Sequence, residues 1–161
     1  MKFDGPEQEL VYLLSKKNMT LSIAESCTGG LISKMITDVE GSSEVFLGGI
    51  IAYSNKSKTD ILKIEKELLD SKGAVSEEVA LKMAESVSQI FNSDLSIAVT
   101  GIAGPSGGSD EKPVGTVYTA FKYNTGNSEV VKHNFSGVRE KIRFETSAYC
   151  INQLILYLRA F

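Results

Sequence analysis

Serine, lysine and tyrosine, rather than histidine or paired carboxylates, are the side chains this sequence offers for chemistry. They fall into short polar clusters: Glu25-Ser26-Cys27-Thr28, Ser42-Ser43, and Tyr53 through Lys58. A fourth is the glycine-rich stretch that carries Gly101, Gly104, Gly107, Gly108 and Gly115. A fifth holds Arg139 and Arg143, one helical turn apart and able to reach one ligand. With a single histidine, His133, in an apparent strand, Ser-His chemistry has one possible partner and a His-rich metal site is excluded. The remaining nucleophilic pairing is serine with lysine, which works only if burial or a nearby cation lowers the amine's pKa. Lys58 is a candidate base, the alternative being a solvated surface lysine. Ser26 and Ser43 are candidate nucleophiles, the alternative for each being helix capping. Cys27 is a third candidate, because a helix N-terminus activates a thiol, but packing as a small buried residue is the preferred reading.

The elements that must position these groups follow from periodicity. Helices are predicted over Pro6–Lys17, Leu31–Val39 and Val138–Arg159, with a further one capped by Ser76. The apolar face of that last one is Val79, Ala80, Met83, Val87, Ile90 and Phe91. Strands are predicted over Thr20–Ala24, Phe46–Tyr53, Leu95–Val99, Thr116–Tyr123 and Ser128–Phe135. Phe46–Tyr53 reads as buried, and its Gly48 and Gly49 mark a bulge or a close backbone approach. Ser54–Leu62 begins as a loop and becomes a short helix, whereas Glu65–Gly73 reads as a polar segment ending at a turn glycine. Early alternation of strand and helix, then a hairpin, predicts an α/β fold: a three-layer α/β/α sandwich around a mixed, mostly parallel sheet of about five strands. Ser26, Tyr53 and Thr100 then sit at the carboxyl ends of strands, where such sheets bind ligands. The long glycine loop between two strands reads as a wall of that site, although its spacing fits neither a P-loop nor a dinucleotide fingerprint.

Composition narrows the class. The chain has 161 residues, enough for one domain with a real core, and its 42% hydrophobic and 23% charged residues are ordinary for a globular protein. A net charge of −3 with scattered Lys and Arg argues against nucleic acid as partner. No run is long and apolar enough to span a membrane, and the first residues lack a signal peptide's apolar core. Two cysteines, Cys27 and Cys150, without metal spacing fit a reduced cytoplasmic protein.

Four motifs in register, AESCTGG (24–30), GSSEVFLGGIIAYSNKSK (41–58), GAVSEEV (73–79) and TGIAGPSGGSDEKPVGTV (100–117), closely resemble the CinA C-terminal domain family, the nicotinamide mononucleotide (NMN) deamidases of bacteria. The resemblance runs from about Leu10 to Leu158 and implies one such domain, either stand-alone or excised from a longer protein. It implies hydrolysis of the NMN carboxamide to nicotinic acid mononucleotide and ammonia, in pyridine nucleotide salvage, by a Ser/Lys mechanism without metal or cofactor, in a homodimer. The matching catalytic positions are Ser43 as nucleophile, Lys58 as base, Tyr53 and Ser26. Substrate contacts are expected from Thr28, Gly29, Gly30, Thr100, Gly101 and Gly104, with the phosphate on Arg139 or Arg143. A non-catalytic nucleotide-binding regulatory module is the alternative function.

Overall fold

The computed structural model describes residues 3–160. In chain order the elements are α1 (Pro6–Lys17), β1 (Leu21–Glu25), α2 (Leu31–Thr37), a 3-10 turn (Ser42–Glu44), β2 (Phe46–Ile51), α3 (Asn55–Asp60), α4 (Lys66–Lys72), α5 (Glu77–Phe91), β3 (Leu95–Gly101), β4 (Thr116–Lys122), β5 (Ser128–Asn134) and α6 (Arg139–Ala160). The five strands form one sheet in the order β2-β1-β3-β4-β5. β1 pairs in parallel with β2 and β3, and the β3-β4-β5 pairings are antiparallel. The mixed α/β architecture expected from element order is therefore present.

The sheet separates two apolar cores. On one face, Ile23, Ile97 and Phe121 pack with Leu10 and Leu14 of α1, Ile32 and Ile36 of α2, and Ile151 and Leu154 of α6. On the other, small residues Ala24, Ala98 and Ala120 admit α5, which buries Val79, Met83 and Val87 against them. Alternation along each strand sends its side chains to these two layers in turn. Asn92, in left-handed conformation, ends α5.

Three expectations change in detail. Glu65–Gly73 contains α4, a seven-residue helix whose apolar anchor is Leu69. β2 is an edge strand and alternates between half-buried and exposed residues instead of being buried throughout. Ile90 is half exposed, because the buried stripe of α5 turns through Ala84 and Ser88 instead. Gly48 and Gly49 do mark a close approach: a Cβ on Gly48 would overlap the Phe91 ring, and one on Gly49 would lie 2.6 Å from Ser33 Oγ. The bulge lies beside them, since Leu21 pairs with Phe46 and Ser22 with Gly48, leaving Leu47 unpaired.

Candidate active site

Three parallel strands end together, and the residues after them build a cleft of about 220 Å³. β1 delivers Ser26 and Cys27, β2 delivers Tyr53 and, through α3, Asn55 and Lys58, and β3 delivers Thr100, Gly101 and Ala103. Ala74, Val75 and Arg139 complete its lining.

Lys58 lies at the base, 1% exposed, and its Nζ is 2.9 Å from Ser26 Oγ. Two main-chain carbonyls flank the same nitrogen, Ala52 at 2.8 Å and Tyr53 at 3.4 Å. No carboxylate lines the cleft to hold the ammonium charge. Burial therefore lowers the Lys58 pKa from 10.5 to about 8. A neutral amine has two N–H groups and one lone pair. The carbonyls accept the former, which leaves the lone pair for the Ser26 hydroxyl proton.

The turn that presents Ser26 is organised by Glu25. This buried carboxylate accepts from the amides of Gly30, Ile32 and Ser33 and from Ser33 Oγ, capping α2 from the end of β1. Gly29 donates its amide to Ser26 O and Leu31 to Thr28 O. The amides of Gly29 and Gly30 are thus occupied within the turn, and neither glycine is in the cleft lining. Cys27 and Thr28, by contrast, donate to no backbone or side-chain oxygen among the described residues.

Ser43 is not brought to the site. It is exposed in the 3-10 turn before β2, at the opposite end of a six-residue strand from Tyr53, roughly 20 Å of chain away. The serine that this fold brings to Lys58 is Ser26, which corrects the expected pairing of Ser43 with Lys58. Cys27 packs in the core, and desolvation pushes its thiol up to about 12, against an activated nucleophile.

The two arginines separate. Arg139 spans the mouth, donating to Gly104 O at 3.0 Å and to Tyr53 Oη at 2.8 Å, and no ion pair neutralises it among the described residues. Arg143 points to the back of the Ser26 turn, where its Nη2 donates to Thr28 O at 2.8 Å, outside the cleft lining. Thr100 Oγ1 donates to Ala74 O at 2.7 Å and secures the segment before α5. Only the start of the glycine loop forms a wall. Its neck closes through Ile102 N to Thr116 O and Gly115 N to Ile102 O, and its tip is exposed. Gly104 contributes through its carbonyl rather than as a lining residue. His133 is half-buried on β5, its Nε2 2.9 Å from Thr119 Oγ1, remote from the cleft.

Asn55 was not singled out from the sequence, although a Ser54-x-x-Ser57 capping pair placed it in the first turn of a helix with Lys58 one turn on. Among the described residues no group of three or more metal-ligating side chains exists, and no helix is long and apolar enough to cross a membrane.

The comparisons with known proteins agree with this architecture. The family model for the CinA C-terminal domain matches residues 4–158. A CinA-like protein of Geotalea daltonii is 53% identical over 142 residues, covering 88% of this chain and 34% of that protein. A CinA-like protein of Fervidobacterium nodosum is 47% identical over 152 residues, covering 94% and 37%. The chain thus spans about a third of the length of these relatives. Among solved structures, the competence/damage inducible protein CihA of Agrobacterium tumefaciens is 38% identical with a TM-score of 0.89, covering 99% of both chains. A CinA superfamily protein of Klebsiella pneumoniae is 27% identical with a TM-score of 0.92, covering 97% of both. With its Ser26–Lys58 cleft at the shared carboxyl ends of β1, β2 and β3, the chain belongs to the CinA C-terminal domain family.

Proposed function

We propose that this domain is a metal-independent amidohydrolase acting on the carboxamide of NMN, with Ser26 as nucleophile and Lys58 as base. The observation that carries the reading is the buried Lys58 amine with two carbonyls on its N–H side and Ser26 Oγ at 2.9 Å. Neutral Lys58 takes the Ser26 proton as Oγ bonds to the carboxamide carbon and the carbonyl pair moves onto oxygen. The Cys27 amide, next in the chain to Ser26 in the cleft lining and without an oxygen acceptor among the described residues, is the donor assigned to that oxyanion. Lys58 then returns its proton to the nitrogen, the C–N bond breaks, and ammonia leaves a Ser26 ester. Water adds to the ester with Lys58 as base, and Ser26 Oγ is expelled and reprotonated, giving the carboxylate.

The Arg139 cation and the absence of a carboxylate in the lining favour an anionic ligand. Arg139 keeps N–H groups beyond the two it gives to Gly104 and Tyr53, and these suit the 5′-phosphate. The test is ammonia release from NMN, with mass mapping of the acyl adduct. Ammonia together with an adduct on the Ser26 peptide supports the reading. Binding of NMN without ammonia would instead identify a nucleotide-binding module.

A further inference from the structure

Asn at the start of a helix is ordinarily a cap. Asn55 is not one. Ser54 occupies the N-cap of α3, its Oγ accepting from Ser57 N at 3.0 Å, and Ser57 Oγ accepts from Ser54 N at 3.1 Å, closing a capping box without Asn55. The Asn55 side chain has no hydrogen-bond partner among the described residues, yet it lines the cleft. Residues three apart share a helix face, so Asn55 stands over the same side of α3 as Lys58.

The rest of the lining explains what a carboxamide would do there. Lys58 and Arg139 are donors, the Tyr53 hydroxyl accepts from Arg139, and Thr100 Oγ1 is tied to Ala74 O. Asn55 Oδ1 is the one uncommitted side-chain carbonyl oxygen in the lining. A substrate amide has two N–H groups that lose water on entering such a cleft and need an acceptor. We infer that Asn55 is a specificity-determining residue, whose Oδ1 accepts an N–H of the substrate carboxamide. The contact turns the amide so that its oxygen faces the Cys27 amide and its nitrogen faces away from it. It also disfavours the carboxylate product, whose oxygens have no hydrogen to offer Oδ1, and so assists release. This inference rests on the amidohydrolase reading above.

The test compares NMN with the methyl ester of nicotinic acid mononucleotide, which keeps ring, ribose and phosphate but has no N–H. In Asn55→Ala the amide-to-ester ratio of kcat/KM should fall about tenfold, the scale of one neutral hydrogen bond. Asn55→Asp keeps an acceptor in place and should restore most of the ratio. If Asn55→Ala lowers both substrates alike, the contact lies on the ring or ribose and the inference is overturned while the amidohydrolase reading stands. If the unaltered protein releases no ammonia from NMN, that reading falls, and the inference with it.

Discussion

The Nζ of Lys58 and the Oγ of Ser26 meet at 2.9 Å although 32 residues separate them in sequence. Each is held by its own strand, and the strands are neighbours: Ala52, just past β2, donates its amide to Glu25 O of β1 at 2.8 Å. The same Ala52 accepts from Lys58. Serine and lysine are therefore coupled through one residue, Ala52, rather than through mobile loops.

Such coupling predicts non-additivity. Ser26→Ala and Lys58→Ala should each lower kcat by at least roughly 10³-fold, and the double variant should be little worse than either single one. Ser43→Ala, altering an exposed hydroxyl at the other end of β2, should fall within a factor of two of the parent. Steady-state kinetics on NMN for the four proteins decides this, and a Ser43→Ala variant as inactive as Ser26→Ala would refute the assignment.

The pH dependence follows from the Lys58 pKa of about 8. The neutral amine is the active form, so kcat/KM should rise with pH and level off above about 8. Stability carries the same signature. Between about 8 and 10.5 the unfolded chain holds the Lys58 proton and the folded one does not, so raising pH across this window favours the fold. Relative to Lys58→Met, the parent should gain up to about 3 kcal/mol over that range, read from denaturant midpoints. Outside the window the difference should be flat.

Arg139 and Arg143 should respond differently. Arg139→Ala should weaken NMN binding about tenfold or more while leaving the affinity for the phosphate-free riboside less affected, since a charge-assisted contact contributes roughly 1.5–3 kcal/mol. Arg143→Ala removes the donor to Thr28 O and should lower the melting temperature as well as turnover. Calorimetric titration with both ligands, alongside thermal melts, separates the two roles.

Neither cysteine should react in the folded protein. Burial raises both thiols, Cys27 to about 12, so iodoacetamide near neutral pH should label them only after unfolding. Rapid labelling of Cys27 that tracks loss of activity would contradict its place in the core.

Gly115 is the glycine whose replacement should damage the fold most directly. Its φ is +95°, and a Cβ there would overlap the Phe135 carbonyl, which lies just past β5. Gly115→Ala should destabilise by at least about 2 kcal/mol, measured by chemical denaturation.

Much of the fold was legible because β-branched runs, caps and helical stripes mark their own elements. α4 was not, since a seven-residue polar helix shows one apolar anchor and no period. The placement of Ser26, Tyr53 and Thr100 followed from the rule that parallel strands gather their carboxyl ends. Ser43 precedes its strand, so the same rule leaves it at the other end of the sheet. Arg139 and Arg143 were indistinguishable in sequence: one turn of α6 separates them, and what each meets is decided by Gly104, Tyr53 and Thr28, residues distant in the chain. Asn55 was masked by its residue type, because asparagine at a helix start suggests capping until the Ser54–Ser57 pair is seen to do that work.

The unpaired Leu47 gives the two ends of β2 unequal tolerance to changes in chain length. Deleting it would heal the bulge, turning Phe46 toward the opposite face while Gly48 onward kept its partners on β1. A single-residue deletion between Ser54 and Lys58 has no such escape. It would swing the amine about 100° around α3, out of reach of Ser26. Insertions and deletions should therefore accumulate around the turn that precedes β2, while the spacing from Ala52 to Lys58 stays constant as the family diverges.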